Sequence, residues 1–257
     1  MDKKEVIHNY DREGSDYDNI RYGRTKGGKF FSEIELPNTL RMMKSGNVLH
    51  IGTATGRVSS YLVSKGFDYV GLEISNVMAS ITKAKLRKKG SVIRGDAEQL
   101  PFRTGSFDNI VSVRSFHFLP HPEKFLSDTR RVLKPGGRVI VSFEKKVRGR
   151  EIFQKTMKLP PSKVKRVYYT NPQVSLMMQR AGFYILFVGN VTKLPLLVYW
   201  RMKNDRILRW IHKILPATLG TVGLVVGRKI AKTPQEKKER RDHLDECDDK
   251  RRRRISG

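Results

Sequence analysis

The chain has one cysteine, Cys247, in 257 residues, so an internal disulfide cannot form and a CxxC metal site is excluded. It also lacks any long apolar run. Stretches such as Leu194 to Trp200 fall far short of the ~20 residues that a bilayer-spanning helix requires. The opening residues Met1-Asp2-Lys3-Lys4-Glu5 are charged and carry no secretory h-region, so a reducing, cytoplasmic setting is expected. Acidic residues are scarce, with 25 Asp and Glu against 52 Lys and Arg, giving a formal net charge of +27. Residues 228–257 hold 12 Lys/Arg and 7 Asp/Glu and contribute +5, which leaves +22 on the body. Such a field attracts nucleic acid, anionic lipid and acidic metabolites alike, because the Coulomb interaction reads only sign and spacing. A solvated basic surface accounts for the charge equally well.

What is present is an alternating pattern. Asn47-Val48-Leu49-His50-Ile51 reads as a strand that ends at Gly52, and Arg57 to Lys65 has Val58, Tyr61 and Leu62 at helical spacing. Tyr69 to Leu72, Ser91 to Arg94, Phe107 to Val113 and Arg138 to Phe143 read as further strands. Helices are expected at Asn76 to Arg87 and Glu123 to Leu133, and a turn at Lys134-Pro135-Gly136-Gly137. This alternation implies an α/β fold with a mostly parallel sheet covered on both faces. A helix at Asn171 to Arg180, a strand at Phe183 to Val188, a helical stretch at Leu194 to Leu215 and a final strand at Thr221 to Val226 follow. The length suits one large domain with appendages. The boundaries read as an N-terminal lid or substrate segment (1–40), a central domain (41–227) and a polar tail (228–257) that reads as frayed or disordered and ends in Arg251-Arg252-Arg253-Arg254.

In a doubly wound sheet the ligand binds beyond the carboxyl ends of the strands at the switch point. The turn there is Gly52-Thr53-Ala54-Thr55-Gly56, whose small residues allow close backbone approach and whose following helix offers free N–H groups. The dinucleotide fingerprint wants glycine where Ala54 and Arg57 stand, which disfavours a nicotinamide cofactor. Glu73 ends the second strand 21 positions after Gly52, where a carboxylate can accept from two ribose hydroxyls, or cap the helix near Ser75. Asp96, in Gly95-Asp96-Ala97-Glu98-Gln99-Leu100-Pro101-Phe102, can accept from an adenine amine.

With these motifs the chain resembles the class I methyltransferases acting on small molecules, in particular the ubiquinone/menaquinone-type branch. The resemblance is carried by Val48 to Gly56, by Val70-Gly71-Leu72-Glu73-Ile74-Ser75, by Gly95 to Phe102, by Phe107-Asp108 and by Arg131-Val132-Leu133-Lys134-Pro135-Gly136-Gly137. It implies a Rossmann-like, doubly wound, seven-stranded sheet, mostly parallel with an antiparallel last strand. It also implies S-adenosylmethionine as cofactor, with the methionine part over the glycine loop. The cofactor-binding residues it implies are His50, Gly52, Thr53, Ala54, Gly56, Glu73, Ile74, Asp96, Ala97, Arg114 and Ser115. Two positions depart from the family pattern: His50 replaces an Asp, and Ala54 replaces the middle glycine.

Methyl transfer needs a nucleophile held in line with the S–CH3 bond and shielded from water. His117, in Ser115-Phe116-His117-Phe118, is the candidate general base, with packing against adenine or a helix cap as its structural alternative. His121, before Pro122, reads as structural. Tyr10, Tyr17, Arg21 and Tyr22, followed by a flexible Lys26-Gly27-Gly28, read equally as a lid over the cofactor or as aromatic surface packing. The mixed aromatic and basic composition of Leu194 to Leu215, with Tyr199, Trp200, Arg201, Lys203, Arg206, Arg209, Trp210 and Lys213, suits either an interfacial helix or a core-facing one. The expected function is S-adenosylmethionine-dependent methylation of a small or lipid-like acceptor. RNA methylation and a catalytically silent binding protein are the alternatives. The +27 charge motivates the RNA reading; Ser112-Val113-Arg114-Ser115, in place of an NPPY-type motif, speaks against it.

Overall fold

The computed structural model describes residues 2–23, 26–146, 164–194, 198–199, 202, 204–215 and 220–230. Cys247, Trp200, Arg201, Lys203 and the tail beyond residue 230 lie outside the described residues. No helix among the described residues is long and apolar enough to cross a membrane.

Seven strands, β1 (Asn47–Ile51), β2 (Asp68–Glu73), β3 (Ser91–Arg94), β4 (Phe107–Val113), β5 (Leu133–Glu144), β6 (Phe183–Asn190) and β7 (Val222–Lys229), form one sheet in the order β3-β2-β1-β4-β5-β7-β6. β1 to β5 run parallel, and β7 lies antiparallel between β5 and β6. This is the Rossmann-like methyltransferase arrangement. β1 sits between β2 and β4, so the chain order reverses beside it and a crevice opens at its carboxyl end.

The central strands are apolar on both sides because both faces are covered. Alternate residues go to opposite layers: Val48, Ile140 and Leu224 join one core cluster, while Leu49, Val139 and Val225 join the other. Helices α2 (Lys26–Leu40), α3 (Arg57–Ser64), α4 (Asn76–Leu86) and α7 (Asp205–Ile214) contribute to the first cluster; α5 (Pro122–Val132) and α6 (Asn171–Arg180) contribute to the second. α5 starts at Pro122, whose fixed φ suits the first turn, and buries Phe125, Leu126, Thr129 and Val132 along one face. Thr170 and Gln173 form a capping box that starts α6.

Three local expectations are corrected. Lys134-Pro135-Gly136-Gly137 is part of β5, where the pairing with β4 shifts register and Gly136 adopts φ +74, so the motif is an irregularity in the strand and not a turn before it. Lys26-Gly27-Gly28 begins α2 and is no flexible hinge: Gly27 and Gly28 are buried, the Gly27 amide donates to Met202 O at 3.1 Å, and a Cβ on Gly27 would collide with Tyr199 O. Within Leu194 to Leu215 the long described helix is α7 alone, started by Asn204, whose side chain accepts from the Arg206 amide at 3.0 Å.

Candidate functional site

The loop after β1 is shaped by two glycines. Gly52 turns at φ +73, its amide donates to Leu72 O at 2.8 Å, and a Cβ there would sit 2.8 Å from Ser115 Cβ, so glycine lets the ends of β1 and β4 approach. Gly56, at φ +80, precedes the first residue of α3. Between them Ala54 is held at φ +46 despite its methyl, a left-handed conformation costing on the order of 1 kcal/mol. Its amide donates to Glu73 Oε2 at 2.8 Å and its carbonyl accepts from Thr82 Oγ1 at 2.6 Å. Arg114, just past β4, is also left-handed at φ +53. Strained non-glycine residues persist where surrounding contacts over-determine them, and both of these line the same cavity.

That cavity has a volume of about 1270 Å³ including its mouth and runs along the carboxyl ends of five adjacent strands, from Gly95 and Asp96 after β3 to Glu144 at the end of β5. Four inter-strand spacings of about 4.8 Å make this row roughly 19 Å long.

Glu73 lies in the wall at the end of β2, nearly inaccessible to solvent. Its Oε1 accepts from the amides of Ile74 and Ser75, each at 3.0 Å, and its Oε2 from Ala54. Burial holds its carboxyl above the usual carboxylate range against these three hydrogen bonds, which work in the opposite direction. Ser75 itself N-caps α4 by accepting from the Met78 amide at 3.0 Å. The carboxylate therefore braces the glycine loop, supports the start of α4 and lines the cavity at once.

The first forty residues close over this row. From α1 (Lys3–Glu13), Lys3 Nζ reaches both Asp96 Oδ2 and Glu98 Oε2 at 2.6 Å, and Asp11 accepts from the Ser75 hydroxyl. Asp18 accepts from Thr55 Oγ1 at 2.5 Å and pairs with Lys85 at 2.9 Å. Farther along, Glu35 of α2 is fully buried between two guanidinium groups: it pairs with Arg57, and Arg114 Nε lies 2.7 Å from its Oε1. The Tyr22 hydroxyl accepts from Arg57 at 3.2 Å and also from Arg114, and the Arg57 guanidinium lies 4.2 Å from the Tyr22 ring centroid. Burial works against the charge of both arginines, yet Tyr22 and Glu35 keep both pKa values above the ordinary arginine range. Two guanidiniums share one carboxylate here, a local excess of one positive charge beside the cavity.

At the β5 end, Arg166 Nη1 contacts both oxygens of Glu144, at 2.9 and 3.0 Å, and its guanidinium lies 5.4 Å from the Phe118 ring centroid. His117 is buried beside them, its Nδ1 facing the Glu144 amide at 3.5 Å.

Gly52, Thr53, Ala54, Glu73, Ile74, Asp96, Ala97, Arg114, Ser115 and His117, singled out from sequence, all line this one cavity. His50 and Gly56 are not among the lining residues. His50 shares the β1 face of Val48, under α3, where its Nδ1 lies 3.3 Å from the Tyr69 hydroxyl and 3.5 Å from Ser59 Oγ. Strand alternation is the reason: Ile51 faces the cavity and its neighbour faces away. Sequence reasoning missed Lys3, Asp18, Glu35 and Arg57 as wall or closure residues. The only available signal was Arg57 directly after Gly56, because contacts that join the first forty residues to the loop carry no local pattern.

Burial and the nearby Arg57 charge depress the His50 pKa from the ordinary 6.5 to about 3. Between these values the unfolded chain binds more protons than the folded one, so this residue's contribution to stability is full above pH 6.5 and is lost as pH falls toward 3. The slope is at most about 1.4 kcal/mol per pH unit. Urea denaturation from pH 7 to pH 4 should show wild type losing about 3 kcal/mol more than His50→Gln. Parallel stability curves would contradict a neutral, buried His50.

The geometry has counterparts among known proteins. Residues 49–141 match the methyltransferase domain family. Over 93 residues the chain is 38% identical to a phthiotriol/phenolphthiotriol dimycocerosates methyltransferase of Mycobacterium tuberculosis, which covers 35% of this chain and 34% of that protein. Over 143 residues it is 29% identical to the biotin biosynthesis bifunctional protein of Cellvibrio japonicus, covering 55% and 28% of the two chains. The chain thus spans about a third of the length of these curated relatives. A solved structure from Thermotoga maritima, described as an S-adenosylmethionine-dependent methyltransferase and possible histamine N-methyltransferase, superposes with a TM-score of 0.63 at 25% identity, over 87% of this chain and 99% of that one. Residues 49–141 are thus similar to a methyltransferase domain, and the sheet order is that of the Rossmann-like methyltransferase fold. These relatives do not single out the ubiquinone/menaquinone branch.

Proposed function

We propose that the protein transfers a methyl group from S-adenosylmethionine to a small or lipid-like acceptor, with both molecules held in the cavity along β3 to β5. The observation that carries this reading is the single cavity that gathers Glu73, Asp96, the glycine loop and His117 under the N-terminal segment. The residues fit the cofactor: Glu73 would accept from the ribose hydroxyls, Asp96 and Ala97 would lie at the adenine end, and the local excess of positive charge at Arg57 and Arg114 would suit an amino-acid carboxylate. When bound, the cofactor supplies a methyl group already activated on a sulfonium sulfur.

The protein's own task is then to position the acceptor and exclude water. Residues 1–40 act as the lid: the Tyr10 ring meets Phe118 edge-on with centroids 5.7 Å apart and lies 5.7 Å from the Tyr17 ring, so that these rings and Leu119 give the cavity an apolar wall. The dimycocerosate relative supports a lipid-like acceptor for such a wall. His117 takes part at the acceptor end. Its Nδ1 lies 3.5 Å from the Glu144 amide, and the ring lines the cavity, which supports a role in orienting the acceptor.

Incubating the protein with S-adenosylmethionine bearing a tritiated methyl, separately with a total lipid extract, a small-metabolite pool and total RNA, tests the reading. Label should enter the lipid or small-molecule fraction. Label confined to RNA, or no transfer to any fraction by a protein that binds the cofactor, would overturn it.

A further inference from the structure

α7 carries three parallel stripes. Leu208, Ile211 and Leu215 face inward and join the core cluster that includes Phe30 and Phe31 of α2. One position earlier in each case, Ile207, Trp210 and Ile214 recur at i, i+3 and i+7 and are 46%, 62% and 58% exposed. One position earlier again, Arg206, Arg209 and Lys213 form an exposed cationic row. At roughly 100° per residue the apolar row lies between the buried row and the cationic row, so it shares one outward surface with the cations. Arg209 is engaged by Glu33 at 2.7 Å, while Arg206 and Lys213 have no carboxylate partner among the described residues. The other exposed large apolar side chains lie singly or in pairs on other elements, so no comparable row occurs among the described residues.

Folding alone gives no reason for an indole and two isoleucines to stand together in water beside Arg206 and Lys213, cations without a carboxylate partner among the described residues. Apolar area next to Lys and Arg on one helix face matches the boundary between acyl chains and phosphates in an anionic bilayer, and the chain's net charge of +27 adds long-range attraction to such a surface. We propose that α7 docks the protein on an anionic lipid surface, with Ile207, Trp210 and Ile214 entering the headgroup region and Arg206 and Lys213 meeting lipid phosphates. This surface is separate from the cavity and holds whatever the methyl acceptor is. It bears on the cavity through α2, which packs under α7 at Phe30 and carries Glu35 to the cavity arginines.

The test is flotation of the full chain with phosphatidylcholine vesicles, with and without about one-quarter phosphatidylglycerol, at about 0.15 M salt. Wild type should float with the anionic vesicles. Ile207→Ser/Trp210→Ser/Ile214→Ser and, separately, Arg206→Glu/Lys213→Glu should each weaken vesicle affinity at least ~tenfold. Neither variant touches the cavity, so S-adenosylhomocysteine affinity should stay unchanged and report an intact fold. Three results would overturn the proposal: no flotation of wild type, equal flotation of wild type and both variants, or a vesicle-free dimer of wild type that the triple variant abolishes. The last would show that a second copy covers this face.

Discussion

Replacing Glu35 with alanine is expected to destabilise the protein by about 3–5 kcal/mol, because it strands the Arg57 and Arg114 guanidiniums without their shared carboxylate in a buried setting. For a chain of this size that corresponds to a fall of roughly 10 °C in Tm by thermal denaturation. Glu35→Gln keeps an acceptor but removes the charge and should fall between alanine and wild type. Pairing Glu35→Ala with Arg114→Met relieves part of the charge imbalance, so the double variant should lose less than the sum of the two single ones. A loss below about 1 kcal/mol for Glu35→Ala would place the pair in the class of exposed ion pairs and contradict its burial. The cluster ties α2 to the loop helix and to the end of β4, so the same substitution should loosen the lid.

Glu73→Ala is expected to weaken binding of S-adenosylhomocysteine by about 10- to 100-fold, that is roughly 1.4–2.8 kcal/mol. Two losses combine. The cavity loses the carboxylate proposed to accept from ribose hydroxyls, and the amides of Ala54, Ile74 and Ser75 lose the group that converges them. The left-handed geometry of Ala54 depends on that brace, so the loop should relax away from its present shape. Glu73→Gln should also weaken binding, because an amide NH2 cannot accept from the backbone N–H groups that a carboxylate oxygen now satisfies.

Much of the sheet was legible because buried parallel strands leave short apolar runs punctuated by glycine and proline, and each of β1 to β7 falls on a run read from sequence. The cavity residues on the strand ends were legible for the same reason: topology alone puts Gly52, Glu73, Asp96 and Ser115 on one edge. His50 shows the limit of motif reasoning, since position within a motif does not tell which face of β1 a side chain takes; register against α3 and Tyr69 does. Gly27 shows another limit. Read alone, Lys26-Gly27-Gly28 looks like a hinge, whereas its glycines serve close packing of α2 against the backbone of Tyr199 and Met202. The Glu35, Arg57, Arg114 and Tyr22 cluster was invisible because its members come from three separate stretches and meet only when the N-terminal segment folds back over the sheet edge. Of the two readings of Glu73, the helix cap falls to Ser75, which accepts from the Met78 amide, whereas the Glu73 carboxylate accepts from the amides of Ala54, Ile74 and Ser75 and lines the cavity.

The measurement that bears most directly on the central claim is calorimetric titration of wild type and Glu73→Ala with S-adenosylmethionine and S-adenosylhomocysteine. Micromolar binding by wild type, about -8 kcal/mol, with the predicted loss in the variant, is the expected result. Absence of binding by a folded wild-type protein would contradict the account and leave the methyltransferase fold serving as a scaffold without its cofactor.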